Sequence, residues 1–417
     1  MKAALTVWWG DRIAGDFLLD DNGDIGFAYS ADWVNDQTCL PISAWLPKQV
    51  EPFGRAKTRP FFAGLLPEAD MLDRVAKNLG ISKTNDFKLL QELGGDVAGA
   101  LTLWAKGQTP PIYDGDIATT PLTDDELANL LDDLPKRPLM AGKTKVRLSL
   151  AGAQTKVPVV LVDGRIALPA QGQPTTHILK PPMANYPAST ENEAFAMTLA
   201  GAVGLDVAPA VPGLVNGRPY LLVTRYDRRR EADGSYTRLH QEDFCQALGK
   251  NPERKYAAEG GPTFKMSFDL LRQATTRPAI ETLKFLDAAL FNLIIGNADA
   301  HGKNFSLLYE GGRTRLAPLY DLLCTVAYPD VQSRLAMQFV DASNLDRFTS
   351  KRWERFAIWV QVGAPHLRRR LLQLGQLVLR HSDAVAEALA ADGFDAGASR
   401  GYAAIVKRRS EVLLNQV

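Results

Sequence analysis

The sequence predicts an α+β chain in two lobes, a β-rich lobe followed by a helical one, with a small subdomain ahead of both. Three observations carry this. Hairpin dipeptides, Asn22-Gly23, Asp163-Gly164 and Asn216-Gly217, punctuate short strand-like runs in the first half. Apolar residues recur at helical spacing through most of the second half. A chain of 417 residues also exceeds what one small core holds, and two or three domains are expected.

The first block, 1–106, opens with "ALTVWW" and "GDFLLDDNGDIGFAY" as short strands. It continues into "LLPEADMLDRVAKNLG", where Leu65, Leu72, Val75 and Leu79 sit at helical spacing and Gly80 closes the end. A second helix, "DFKLLQELGGD", follows. Residues 107–144 read as a linker and a helix. "GQTPPIYDGDIATTP" is rich in turn formers, and Thr123 and Glu126 of "LTDDELANLLDDL" are spaced as a capping box.

The block 145–227 reads as an antiparallel sheet crossed by one helix. Its strands are expected at Lys145–Leu150, Val157–Val162, Arg165–Leu168, Thr176–Lys180, Val207–Val215 and Pro219–Arg225. "STENEAFAMTLAGAVG" is the helix, with Ser189 or Thr190 as its cap and Gly204 as its stop. The block 228–417 is mostly helical, with one hairpin at "FSLLYEGGRTRLAPLYD" and long amphipathic helices near the end.

Composition narrows the function. With 46% hydrophobic and 23% charged residues the chain is an ordinary globular protein. A net charge of +1 predicts no overall attraction to nucleic acid or membrane. Cys39, Cys245 and Cys324 are too sparse for a disulfide framework and lack zinc spacing, which favours a reducing compartment. The N-terminal apolar run is too short for a secretory signal, and no run approaches the ~18 residues of a membrane span. A cytoplasmic location is the expectation.

The stretch "IIGNADAHGKNFS", 294–306, carries the chemistry. An apolar helical run ends in Asp299, His301, Lys303 and Asn304. Asp299 precedes Asn304 by five residues, and Asp321 follows a hairpin later. Phosphoryl transfer uses such a set: a carboxylate to take a proton, and an amide and a second carboxylate to hold magnesium. "LYD" stands in the place of the kinase D-F-G without its Phe or Gly. Read alone, the three residues serve equally well as helix caps and turn formers.

Further elements fall in kinase order. Lys180 ends the strand-like "HILK", where a phosphate-holding lysine belongs, and Glu193 or Glu191 lies early in the next helix to hold it. By itself Lys180 is equally a strand-end lysine reaching water. "SLAGAQTK", 149–156, joins two expected strands, and Ala151, Gly152 and Ala153 leave room for backbone N–H groups to approach a phosphate. It is neither a G-x-G-x-x-G loop nor a Walker A loop, and alone it reads as a plain turn. "LLVTRYD", 221–227, leads from the sheet into the helical block, where a kinase holds adenine by its backbone.

With these motifs in hand the chain resembles the HipA family, bacterial serine/threonine kinases that act as toxins of type II toxin–antitoxin modules. The resemblance rests on "FFAGLLPEADMLDRV", "SLAGAQTK", "THILKPP", "ENE", "VTRYDRR", "HQEDFCQALG", "IIGNADAHGKNFSLL" and "LAPLYDLL", from about residue 60 to 325. It implies a two-lobed protein-kinase-like fold and dependence on ATP and Mg2+. It implies Asp299 as catalytic base and Asn304 and Asp321 as magnesium ligands. Lys180 and the loop Ala151, Gly152, Ala153, Gln154, Thr155 and Lys156 would hold phosphates, with Glu193 holding Lys180. Thr224, Arg225 and Tyr226 would border adenine, with Lys303 and His301 beside the nucleotide; His301 serves equally well as a structural histidine bonding the catalytic loop. Thr224 stands where a glutamate is familiar in the family; backbone atoms would make the adenine contacts, so the change weakens only a side-chain role there.

Ser149 occupies the position of the family's autophosphorylation site. The resemblance further implies a helix-turn-helix antitoxin, operator DNA reached through that complex, and a protein substrate such as an aminoacyl-tRNA synthetase. Two readings compete with this one: a non-catalytic corepressor with a degenerate kinase fold, and a small-molecule kinase. The basic runs at 227–230 and 367–370 read first as solvated faces balanced by acids; the alternative is that the helix near 367–381 touches DNA phosphates in a toxin–antitoxin–DNA assembly, and Trp353 and Trp359 read as packing.

Overall fold

The computed structural model describes residues 2–111, 119–141, 147–331, 333–345 and 348–416. Part of the linker at 107–121 and the start of the strand expected at 145–150 lie outside them.

The N-terminal part is a four-stranded antiparallel sheet. Its strands Ala3–Trp9, Arg12–Leu19, Ile25–Tyr29 and Leu101–Ala105 run in the order third, second, first, fourth. Alternation places Leu5, Val7, Phe17 and Phe27 in a core closed by helices Arg55–Ala63, Ala69–Leu79 and Asp86–Leu93. The loop at Asn22-Gly23 is wider than a two-residue hairpin, because Asp20 Oδ1 accepts from the N–H groups of both Asn22 and Asp24. The helix expected from Leu65 starts only at Ala69; Pro67 and Glu68 stay extended, and Pro67 bridges Gly152.

The second sheet has five strands, all antiparallel: Arg165–Ala167, Val157–Val162, His177–Lys180, Arg218–Thr224 and Ala210–Val215 in spatial order. The dipeptides Asp163-Gly164 and Asn216-Gly217 form two-residue turns with positive φ at both positions. Thr123 and Glu126 make the expected capping box. The described part of the strand expected at 145–150 is irregular. Ser149 donates its N–H to Asp96 and its hydroxyl to the Leu65 carbonyl, so this segment leans on the N-terminal part instead of joining the sheet.

Helix Ser189–Ala202 crosses the sheet and is buried on nearly every side, because helices Ala364–Ala391 and Ala396–Leu414 cover its other face. Its cap is neither Ser189 nor Thr190. Ala188 takes that place in the left-handed region, and the Ser189 hydroxyl accepts instead from the Met183 N–H.

The helical half is built around Pro278–Ile295, an apolar helix buried among Phe264–Ala274 and the two C-terminal helices. It also holds the three-stranded sheet of His240–Asp243, Ser306–Glu310 and Arg313–Leu316. Trp353 is buried in this core, and the three cysteines are buried and unbridged. Among the described residues no helix is long and apolar enough to cross a membrane.

Candidate active site

The buried helix Pro278–Ile295 ends at Gly296, whose φ of 76° closes the helix in a left-handed turn. A Cβ there would lie 2.5 Å from Val326 Cγ2, so both the conformation and the close approach require glycine. The loop that follows is pinned from several sides. Asn297 Nδ2 donates to Asn292 Oδ1 at 2.8 Å, and the Asp299 N–H donates to Asn297 Oδ1 at 3.1 Å. The Thr325 hydroxyl accepts from the Ala298 N–H and donates to the Gly296 carbonyl. From the C-terminal helix, Arg409 reaches the carbonyls of Leu293 and Ile294 and supplies positive charge at the helix's C-terminus.

This loop faces the five-stranded sheet across a cavity of about 930 Å³. Every residue nominated from the sequence for nucleotide contact or proton transfer borders that cavity; Ser149 does not. Lys180 ends the central strand, with its ammonium 2.6 Å from Glu193 Oε1 and 3.1 Å from Asp321 Oδ1. Asp321 Oδ2 accepts from Asn304 Nδ2 at 2.8 Å, while Asn304 Oδ1 accepts from the His301 N–H. One polar chain therefore runs from the crossing helix through Lys180 and Asp321 to the loop. Glu193 holds Lys180; the rival Glu191 is buried with Oε2 unpartnered.

The electrostatics follow from burial and these neighbours. Burial alone would neutralise Lys180, but Asp321 and Glu193 outweigh it and hold the ammonium charged. Burial opposes ionisation of Asp321 too, yet Lys180 and Lys156 keep its carboxyl well below the usual range. Asp321 adopts a φ of 59°, a left-handed conformation that asparagine and aspartate tolerate best among side-chain-bearing residues. Asp299 opens to the cavity, and the surrounding protein pushes its carboxyl above the ordinary range. Its Oδ1 accepts from the Tyr256 hydroxyl at 2.9 Å. Burial takes His301 down to about 3, so its ring is neutral, and Nδ1 has no hydrogen-bond partner.

The loop 151–156 rests on the N-terminal part, where the Glu68 N–H donates to the Gly152 carbonyl at 3.1 Å. Gly152 has a φ of 110°, and a Cβ there would meet Lys156 Nζ at 2.6 Å. Lys156 makes no ion pair among the described residues; burial and the nearby Lys180 lower it to about 8. A half-buried cation without an ion-pair partner, beside small residues with room above their backbone, suits an anionic ligand.

Two nominated residues have their charges committed elsewhere. Lys303 is ion-paired with Asp243 at 2.7 Å and Glu68 at 3.4 Å. The Arg225 guanidinium is buried against Asp227 and Asp96, behind the strand that carries Thr224. Arg228, part of one basic run, joins the same cluster. In the other run, Arg368 pairs with Glu354 and Arg370 with Asp287. The sequence reading missed Tyr256, Glu68 and Asn297: Glu68 and Asn297 lie inside quoted motifs but were given no role, and Tyr256 belongs to no motif.

Asp321 and Asn304 offer hard oxygen donors. Among the described residues no three His, Cys, Asp or Glu side chains cluster as a cage. One carboxylate and one carboxamide in contact with each other are a donor set of the kind that suits a cation such as Mg2+, which keeps waters and takes much of its shell from substrate phosphates.

Sheet, crossing helix, connecting strand and loop together define a two-lobed kinase-like α+β fold. The HipA N-terminal domain model matches residues 5–104 and the HipA-like C-terminal domain model residues 148–386. The chain is 56% identical over 390 residues to Y4mE of Sinorhizobium fredii, covering 93% of this chain and 91% of that one. It is 31% identical over 353 residues to the serine/threonine-protein kinase toxin HipA of Shewanella oneidensis, covering 81% and 78%. Among solved structures, the Shewanella oneidensis MR-1 toxin–antitoxin complex of HipA, HipB and operator DNA aligns with a TM-score of 0.83 at 28% identity, covering 98% of this chain and 96% of that one. The chain belongs to the HipA family of kinases.

Proposed function

We propose that the chain is an ATP- and Mg2+-dependent protein serine/threonine kinase and the toxin of a toxin–antitoxin module. The observation that carries this is the connected set Glu193–Lys180–Asp321–Asn304 facing Asp299 across one cavity. In the reaction, the acceptor hydroxyl oxygen bonds to the γ-phosphorus and the bond from that phosphorus to the β–γ bridging oxygen breaks. Asp299 takes the hydroxyl proton, a role for which a carboxyl pushed upward is better matched than an ordinary one. Lys180, held by Glu193, neutralises the α- and β-phosphates, and Lys156 with the N–H groups of 151–155 cradles the tail. Thr224, Arg225 and Tyr226 border adenine through their backbone. Asn304 and Asp321 would hold Mg2+, which supplies positive charge to the phosphates when bound.

The protein acceptor is a translation-related enzyme such as an aminoacyl-tRNA synthetase, and Ser149 is a second acceptor, in cis or between copies. The partner is a helix-turn-helix antitoxin, through which the chain reaches operator DNA; the structural relative described as a complex with HipB and operator DNA supports this reading. The test is Asp299→Asn. Its expression should no longer arrest growth, and the purified variant should transfer no phosphate from labelled ATP while melting like the parent. Persistent labelling and arrest would remove Asp299 from the role of base.

A further inference from the structure

Residues 252–261 form a short irregular segment outside all the recognised motifs, yet three consecutive contacts tie it to distant parts of the chain. Glu253 accepts from Arg59 on the N-terminal helix Arg55–Ala63, at 2.5 and 3.0 Å, and Arg59 is itself held by Asp86 at 2.9 Å. Lys255 donates to Glu68 at 3.0 Å, and the Lys255 carbonyl accepts from the Gly302 N–H at 3.4 Å. Tyr256 places its ring edge-on to His301, 5.4 Å between centroids, and its hydroxyl donates to Asp299 Oδ1 at 2.9 Å. The segment is thus a strap, anchored on the N-terminal part at one side and on the catalytic loop at the other.

We propose that Tyr256 is a positioning residue for Asp299, and that the N-terminal domain sets it in place through Glu253 and Lys255. This rests on the reading of Asp299 as the base. No other side chain among the described residues hydrogen-bonds the Asp299 carboxylate, so without Tyr256 its rotamer is free. With Oδ1 occupied by the phenol, Oδ2 is left for the acceptor hydroxyl. A base held in one orientation keeps the reacting atoms aligned, and misplacement by about 1 Å costs on the order of a hundredfold in rate. The strap also explains why the N-terminal domain is docked so close to the loop: Glu68 bonds the phosphate loop through its N–H and the strap through its carboxylate.

The hydrogen bond has a titration consequence. The groups facing Asp299 are Tyr256 and Lys255 from the strap, Asp321 from beyond the hairpin and Glu68 from the N-terminal domain. Of these, Tyr256 and Lys255 favour the carboxylate, whereas Asp321 and Glu68 disfavour it. Removing the phenol hydroxyl therefore raises the carboxyl further.

The test compares parent, Asp299→Asn, Tyr256→Phe, Glu253→Arg and the double variant Tyr256→Phe/Glu253→Arg, using the full chain and labelled ATP with a protein acceptor. Tyr256→Phe should melt like the parent and keep its KM for ATP within about twofold. Its kcat should fall ten- to a hundredfold, with the acid limb of kcat/KM moved to higher pH. Glu253→Arg, which sets two arginines against each other far from the nucleotide, should lower kcat in the same direction and add little to Tyr256→Phe. A Tyr256→Phe enzyme with parental kcat and pH profile, beside an inactive Asp299→Asn, overturns the positioning role alone. Fully additive losses overturn the strap. An active Asp299→Asn overturns the assignment of the base on which both depend.

Discussion

Lys180 Nζ lies 2.6 Å from Glu193 Oε1, and both side chains are almost completely removed from water. A lysine and a glutamate buried this deeply are stable only together, since each would otherwise face a large desolvation cost. The pair couples the central strand of the sheet to the helix that crosses it, and Asp321 extends the coupling to the helical half.

Lys180→Met should therefore have two separable effects. Phosphate transfer is lost, and the orphaned Glu193 destabilises the fold by about 3–5 kcal/mol, the usual cost of breaking a buried pair from one side. Adding Glu193→Leu should recover most of that stability and none of the activity. Denaturant midpoints beside ATP labelling check both; a double variant as unstable as Lys180→Met would contradict the pairing.

Removing divalent metal should silence transfer without loosening the protein. Asp321 and Asn304 already satisfy one another and Lys180, and the described residues include no cage that needs a cation to fold around. With a chelator, labelling should fall to background while the melting temperature of the nucleotide-free chain stays put. A chelator-induced drop in that temperature would point to a structural metal instead.

Ser149→Ala should abolish self-labelling. The Ser149 hydroxyl is buried and donates to the Leu65 carbonyl at 2.7 Å, so a phosphate cannot be accommodated with the loop seated as it is. Intact-mass measurement after incubation with ATP and Mg2+ should show one added phosphate on the parent and none on the variant. The lost hydrogen bond should cost about 1 kcal/mol. A variant that still acquires one phosphate to completion would move the site elsewhere.

The ion cluster behind the connecting strand gives a pH prediction. Burial opposes the charge of Asp96, but Arg228, Arg225 and Arg238 outweigh it and hold the carboxyl well below its unfolded value. A lowered carboxyl binds fewer protons folded than unfolded. Its stabilisation is thus complete above about pH 4 and is lost as pH falls below that. Asp96→Asn should destabilise the protein by about 3 kcal/mol at pH 7, with the gap to the parent narrowing on acidification. A gap that stays constant below pH 4 would contradict the assignment.

Much of this architecture could be read in advance because local chemistry dictates it. The two-residue turns at Asp163-Gly164 and Asn216-Gly217 need residues that tolerate positive φ, and Asp-Gly and Asn-Gly announce them. The convergence of Lys180, Glu193, Asn304 and Asp321 was legible because phosphate chemistry would call for those groups in that order along the chain. What failed depends on tertiary contact. The segment at 145–150 alternates like a strand, but Asp96 and Leu65 capture its polar groups. Lys303 and Arg225 look available in the sequence, yet Asp243, Glu68, Asp96 and Asp227, all distant or inconspicuous, absorb their charges. Tyr256 meets Asp299 across 43 residues of chain, with no periodicity or motif to mark the encounter.

The most direct measurement is a crystal structure of the chain with a non-hydrolysable ATP analogue and Mg2+. The account predicts the nucleotide in the cavity between sheet and loop, adenine beside Thr224–Tyr226, and the cation held by Asn304 and Asp321 with the γ-phosphate facing Asp299. A cavity left empty at saturating nucleotide, or a cation bound away from Asn304 and Asp321, would contradict it.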